Sequence, residues 1–269
     1  MKGRLIFMTK LHEDFVEKAI RILKADKRIV GISAGGSWIT NSMDEYSDID
    51  LVISVKPDSF SNVMDERIEI AKRLGDFLGA FTGEHVNEPR LLICLYGPPL
   101  LHVDLKFISA PDIINRVEDP AILWEKNAQV SSYIKQKPYK YPSPDLQWVE
   151  DRFWIWIHYA ATKLGRGELF EVIEFISYLR QNVIGPFLLM KNGSRPSGVR
   201  RIEKKAKKEL PLLIETVAEH NVLSCAKSLK AIIRLYCSLR EYHKKADFIE
   251  HTDVEKESIK YLDEVIDRL

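Results

Sequence analysis

The sequence lacks the features that mark disulfide scaffolds, histidine or cysteine metal sites and nucleic-acid-binding domains. Its three cysteines are odd in number and form no C-x-x-C pair, which indicates reduced thiols. Its seven histidines show no H-x-x-x-H spacing. The formal net charge is only +1, whereas proteins that bind nucleic acids or membrane surfaces usually carry a marked basic excess.

Long apolar runs are also missing, since none approaches the roughly 20 residues that cross a bilayer. The first fifteen residues contain a short apolar patch, which is followed at once by charged residues and by no small-residue cleavage site. This pattern is unlike that of a secretory signal. These absences predict a cytoplasmic protein with no membrane partner.

The two halves of the chain have different patterns, which predict an α+β fold. Up to about residue 110 strands and helices alternate, as in a mixed β-sheet with flanking helices. We expect helices at 9–27, capped by Thr9, and 60–78, and strands at 29–32, 49–55, 91–96 and 101–108. After a transition at 111–144 only helical patterns follow, as in a helical bundle, at 145–165, 168–190, 200–221, 224–246 and 254–268. The proline-rich stretch before this bundle predicts domains at 1–142 and 143–269.

Two carboxylates share one face of the strand at 49–55. Asp48 and Asp50 are two residues apart, so they point to the same side, while Ile49 and Leu51 point to the apolar side. Two neighbouring carboxylates repel each other unless a cation compensates them, and Mg²⁺ prefers such oxygen ligands. The alternative is an exposed edge strand with an acidic face.

Two further elements favour the metal-site interpretation. Gly36 and Ser37 precede Asp48 by ten intervening residues, and a glycine turn lets phosphate oxygens approach backbone amides, although Gly-Gly-Ser alone is more often a simple turn. Asp104 lies in another alternating strand, where the alternatives are a salt bridge to Lys106 or a solvated strand residue. If the two strands are neighbours, three carboxylates converge, and such a set can hold two divalent ions.

This combination resembles the nucleotidyltransferase superfamily of DNA polymerase β type, over roughly residues 30–108. The bacterial aminoglycoside and lincosamide nucleotidyltransferases are the most similar branch, and they also pair this domain with a helical one. The resemblance implies that Asp48 and Asp50 bind the Mg²⁺ that carries ATP, and that Gly36 and Ser37 hold its β- and γ-phosphates. Asp104 is implied either as a ligand of a second Mg²⁺ or as the general base.

The helical half offers weaker candidates. Arg152, Trp156, Tyr159 and Lys163 share one helical face that could contact a nucleotide, and relatives often present a lysine from a comparable helix. Lys163 is therefore the candidate for a phosphate contact. The alternative is that Phe153, Trp154 and Trp156 fill the core and that Lys163 is solvated.

Other residues have open interpretations. His102 is either a core-edge or a pocket residue. Glu150 and Asp151 suit a helix N-terminus, and equally an amine-bearing acceptor. The basic run at 191–208 could bind RNA or an anionic acceptor, although a solvated helix face is more usual.

The function that we expect is metal-dependent transfer of AMP from ATP to a hydroxyl of a small molecule, with release of pyrophosphate. The resemblance implies an antibiotic-like acceptor and hence a role in antibiotic resistance. The alternatives are AMP transfer to a protein, RNA tailing, and a nucleotide-binding regulatory protein without catalysis. The helical half argues against transfer to a protein, and the near-neutral charge argues against RNA tailing. The presence of all three carboxylates argues against a protein without catalysis.

Overall fold

The computed structural model describes residues 10–269, so the predicted cap Thr9 and the start of the chain lie outside the described range. The chain divides into two compact units, the first ending at Tyr141 and the second running from Pro142 to Leu269. Among the described residues, no helix is both long and apolar enough to cross a membrane.

The first unit is a mixed sheet with flanking helices. Its elements are α1 (Lys10–Leu23), β1 (Ile29–Ala34), α2 (Gly36–Ile39), β2 (Ile49–Val55), α3 (Phe60–Lys72), β3 (Phe77–Gly83), β4 (Glu88–Tyr96), β5 (Leu101–Ser109), β6 (Ala121–Glu125) and α4 (Gln129–Ile134). The six strands lie in the order β3-β4-β5-β2-β1-β6. Strands β2 and β5 are parallel, and the other neighbouring strands pair antiparallel.

The alternation of β2 separates a core face from a polar face. Ile49, Leu51 and Ile53 are buried in one apolar cluster with side chains of α1 and α3. Because strand residues alternate between faces, Asp50 points to the opposite side of the sheet. The packing of α1 and α3 therefore fixes the direction in which the polar face of β2 points.

The second unit is helical throughout its described elements. They are α5 (Leu146–Gly165), α6 (Leu169–Leu179), a π-helical turn (Arg180–Ile184), α7 (Gly185–Lys191), α8 (Ile202–Lys205), α9 (Leu210–Ile214), α10 (Val222–His243) and α11 (Thr252–Asp267). The Asp145 side chain caps α5 by accepting hydrogen bonds from the amides of Gln147 and Trp148. Phe153 stacks on Tyr236 with 3.7 Å between ring centroids, which joins α5 to α10 in the core.

The predicted α+β architecture is confirmed, whereas three local predictions are wrong. The helix predicted at 60–78 ends at Lys72, because residues 73–76 turn the chain into β3, which pairs with β4. Strand β6 lies inside the predicted transition and pairs with β1. The helix predicted at 200–221 is two short helices, α8 and α9, and Pro211, which lacks an N–H donor, lies in the first turn of α9.

Candidate active site

Three carboxylates meet on the polar face of the sheet. Asp48 immediately precedes β2, and the parallel pairing of β2 with β5 sets Asp50 directly beside Asp104. One carboxylate oxygen from each of the three residues lies within 4.8 Å of the others, and all three residues are partly buried. The predicted convergence is thus confirmed, while the roles of the three residues stay predictions.

Asp104 has an unusual electrostatic environment. Burial raises the pKa of Asp104, a hydrogen bond from His102 partly opposes this rise, and the nearby Asp48 charge adds to it. The His102 Nε2 atom lies 2.9 Å from Asp104 Oδ1, and the imidazole is half exposed. His102 therefore lies at the site rather than at the edge of the core.

Lys106 is not the partner of Asp104. Its ammonium lies 2.7 Å from Glu88 Oε2, on the neighbouring strand β4. Glu88 also accepts from Arg90, 2.7 Å away. The salt-bridge alternative for Asp104 is therefore wrong, and the cation closest in sequence to Asp104 is already used elsewhere.

The loop after β1 packs directly against Asp50. The Gly35 amide donates to the Asp50 carbonyl over 3.0 Å, and Gly36 has a φ of +56°. A Cβ at Gly36 would lie only 1.9 Å from Asp50 Oδ2, so glycine is required at this position by both backbone conformation and space.

Ser37 carries a buried hydroxyl that fits a ligand oxygen. The residue is 7% exposed, and its Oγ has no hydrogen-bond partner among residues 10–269. Leaving a buried hydroxyl unsatisfied costs on the order of 1–3 kcal/mol. A phosphate oxygen of a bound nucleotide would satisfy it.

Glu118 is a fourth carboxylate at this loop that the sequence patterns did not indicate. Its Oε1 accepts a hydrogen bond from the Gly36 amide over 3.1 Å. Glu118 lies between β5 and β6, in the stretch predicted as a transition, and 82 residues separate it from Gly36. No local spacing connects two positions so far apart.

On the helical face of α5 that carries the candidate residues, Lys163, Tyr159 and Arg152 contact other side chains of the second unit. The Lys163 ammonium lies 2.8 Å from Glu168 and 2.9 Å from Glu171, and the Tyr159 hydroxyl donates to Glu171. The Arg152 guanidinium lies 4.2 Å from the centroid of the Trp148 ring.

The acceptor role considered for Glu150 is wrong. Glu150 is 1% exposed, and its carboxylate accepts hydrogen bonds from Trp154, Tyr236, Arg240 and the His251 amide. These bonds compensate a buried charge, so Glu150 holds the bundle together. Phe153 and Trp154 fill the core, as the structural alternative predicted. Asp151 is exposed and accepts from Gln147 and His251.

The basic run at 191–208 begins at an ion pair. Lys191 lies 3.0 Å from Glu209, which is just beyond the run. Short helix α8 lies inside it, with turns on either side. Lys204 and Lys205 of α8 are exposed, so the helical part of the run is solvated and follows a loop, as the more usual alternative predicted.

Part of the first unit matches a known protein family. Residues 16–87 match the family model of the nucleotidyltransferase domain. The whole chain is similar to an aminoglycoside 6-adenyltransferase from Bacillus subtilis, with 17% identity over 94% of this chain and 97% of that chain and a TM-score of 0.40. It is also similar to a nucleotidyltransferase-like protein from Exiguobacterium sibiricum, with 12% identity over 96% and 91% and a TM-score of 0.39. No curated protein matches the sequence significantly.

Proposed function

We propose that this chain, whose residues 16–87 match the nucleotidyltransferase domain model, transfers AMP from ATP to a hydroxyl of a small-molecule acceptor. Pyrophosphate is the leaving group. The observation that carries this proposal is the convergence of Asp48, Asp50 and Asp104 beside the loop of Gly36 and Ser37. The domain match supports nucleotidyl transfer as the reaction class, and the acceptor is our inference.

The residues at the site fit divalent cations. Three carboxylates with oxygens within 4.8 Å of one another supply hard ligands and need a compensating charge. Asp48 and Asp50 would hold the Mg²⁺ that accompanies the triphosphate, and Asp104 would face a second Mg²⁺. When bound, such cations neutralise phosphate charge and lower the pKa of a coordinated hydroxyl.

The protein's own contribution in this proposal is to position the nucleotide. The buried Ser37 hydroxyl donates to a phosphate oxygen, and the Gly36 amide donates to another once Glu118 has left it. Because Gly36 has no side chain, the triphosphate can lie close to the backbone and to Asp50. Holding the α-phosphorus in line with an acceptor hydroxyl accounts for much of the catalysis in phosphoryl transfer.

Asp104 has two candidate roles. As a general base it would take the proton of the acceptor hydroxyl. As a metal ligand it would stay ionised. The variant Asp104→Asn distinguishes the two roles when kcat is measured together with the affinity for Mn²⁺, used as a probe for the divalent cation. If Asp104 is the general base, the variant has a lower kcat and unchanged Mn²⁺ affinity. If Asp104 is a metal ligand, both kcat and Mn²⁺ affinity are lower.

The second unit is proposed to bind the acceptor, and Lys163 to contact a phosphate. For that contact the Lys163 ammonium must exchange Glu168 or Glu171 for a phosphate oxygen. If it does, Lys163→Met raises the KM for ATP. An unchanged KM would assign Lys163 to the ion pairs alone.

The decisive experiment for the nucleotide half is calorimetry with ATP and Mg²⁺. We expect Mg²⁺-dependent ATP binding that the double variant Asp48→Asn, Asp50→Asn abolishes. The matched control, Asp58→Asn with Asp65→Asn, makes the same charge change at exposed positions of the same unit and retains binding. Unchanged nucleotide affinity in the site variant contradicts the metal-site proposal.

The acceptor is tested by incubation with α-labelled ATP, Mg²⁺ and a panel of aminoglycosides, lincosamides, tRNA and cell extract. Small-molecule transfer predicts pyrophosphate release with one of the antibiotics or with a small component of the extract. Release with tRNA alone overturns the proposed acceptor class. Tight binding of ATP without transfer to any acceptor favours the regulatory alternative.

A further inference from the structure

A buried histidine outside the matched domain contacts the chain next to Asp48. His12 lies in the first turn of α1 and is 2% exposed. Its Nε2 atom lies 2.8 Å from the carbonyl oxygen of Ser47, a residue 35 positions further along the chain. Because a carbonyl only accepts hydrogen bonds, Nε2 carries the hydrogen and donates it.

The contact acts on the peptide group that leads into Asp48. The carbonyl of Ser47 and the amide nitrogen of Asp48 belong to one planar unit, so fixing the oxygen fixes the plane. On the other side of Asp48, Ile49 begins β2 and pairs with Val103 of β5. The backbone of Asp48 is therefore held from both sides, by His12 and by the sheet.

Residues 44–46, which precede Ser47, are exposed, whereas Met43 before them is buried in the core. Asp44 is exposed, and Tyr46 is 88% exposed. The Ser47 amide donates to the Asp44 carbonyl, and the Ser47 hydroxyl bonds both the amide and the carboxylate of Asp44. These bonds close a local turn over residues 44–47. The bond from His12 attaches it to helix α1, whose Phe15, Ala19 and Leu23 are buried in the core.

We propose that His12 is a positioning residue that sets the orientation of the Asp48 carboxylate and thereby the affinity of the site for divalent cations. The inference rests on the proposed function, because that function makes Asp48 a metal ligand. Groups that orient metal ligands commonly change metal affinity by about 10–100-fold when they are removed. His12 acts on the ligand's backbone, so we expect the lower end of this range, about tenfold.

The test is a Mn²⁺ titration by calorimetry, paired with thermal unfolding. His12→Leu removes the donor and keeps an apolar side chain, so Mn²⁺ should bind about tenfold more weakly. His12→Gln keeps an N–H donor at a similar reach and should restore most of the affinity. If His12→Leu does not fold, His12→Phe, which keeps a ring and lacks the donor, gives the same comparison.

A matched control separates positioning from general loss of stability. Phe15→Leu, one turn further along α1, lowers Tm without touching the Ser47 carbonyl, so it should leave Mn²⁺ affinity unchanged. Equal Mn²⁺ affinity in folded His12→Leu and the unmutated protein overturns the inference, and so does failure of His12→Gln to restore binding. The proposed function is judged separately: if the unmutated protein binds no Mn²⁺, or the Asp48→Asn, Asp50→Asn variant binds it equally well, that function falls and the inference with it.

Discussion

Replacing Gly36 by alanine should disturb the three-carboxylate site, because the added Cβ would collide with the Asp50 carboxylate. Gly36 has a φ of +56°, a conformation that costs an alanine about 1–2 kcal/mol. The added Cβ would lie 1.9 Å from Asp50 Oδ2, and Cβ atoms essentially never approach other atoms within 3.0 Å. The carboxylate oxygen must therefore move by about 1 Å, a displacement that can lower a catalysed rate about 100-fold.

The neighbouring glycine is the matched control. Gly35 has an extended conformation, with a φ of −116°. A Cβ there would meet Glu118 Oε1 at 3.5 Å and Asp50 Cβ at 3.8 Å, which are ordinary contacts. Gly35→Ala should therefore keep the activity within a fewfold of that of the unmutated protein. Both variants change the same loop by one methyl group, so the comparison isolates the contact with Asp50.

The assays are pyrophosphate release, Mn²⁺ titration and urea unfolding. Gly36→Ala should lose about two orders of magnitude in activity, bind Mn²⁺ weakly and lose about 1–2 kcal/mol of unfolding free energy. Gly36→Ala with Mn²⁺ affinity and activity equal to those of Gly35→Ala would refute the reasoning, because Asp50 would then accommodate the methyl group without consequence for the site.

Two further predictions concern carboxylates that bond groups within the protein. Glu118→Ala removes the acceptor that bonds the Gly36 amide, so this amide becomes available to a phosphate oxygen. Because one hydrogen bond contributes about 0.5–1.5 kcal/mol net, Mg²⁺-ATP should bind about three- to tenfold more tightly in calorimetry. Weaker binding would instead make Glu118 part of the nucleotide site. The pKa of Glu88 is lowered to about 2, mainly by its hydrogen bond from Arg90 and to a lesser extent by that from Lys106. The ionised carboxylate therefore stabilises the fold above the ordinary pKa of 4.5, and this stabilisation is lost as pH falls toward 2. After allowance for solvent screening, Glu88→Gln should be about 1 kcal/mol less stable at pH 7 in urea unfolding, and a difference that does not shrink below pH 4.5 contradicts this assignment.

The carboxylate cluster could be predicted because each of its parts has a local signature. The alternation around Asp50 and Asp104 assigned each residue to the polar face of a strand. The pairing of these strands was a condition of the prediction, and the structure meets it with Asp50 beside Asp104. The spacing from Gly36 and Ser37 to Asp48 then indicated the chemistry.

Glu118 and His12 could not be predicted because their importance arises from contacts between distant segments. Glu118 stands in a stretch without periodicity, and His12 reads as one polar residue in the first turn of an amphipathic helix. Strand β3 was missed for a different reason: its two glycines weaken the strand pattern, so tertiary pairing with β4 decides its conformation.

The distribution of charge around the three carboxylates bears on the proposed metal site. Lys106, the cation nearest in sequence to Asp104, is bound by Glu88, and the histidine that contacts Asp104 is half exposed. The Gly36 amide, which could stabilise a phosphate, is bonded to Glu118. The packing of β2 and β5 against the core holds Asp48, Asp50 and Asp104 close together. In the proposed metal site, the divalent cations that accompany a triphosphate would reduce the mutual repulsion of these three carboxylates.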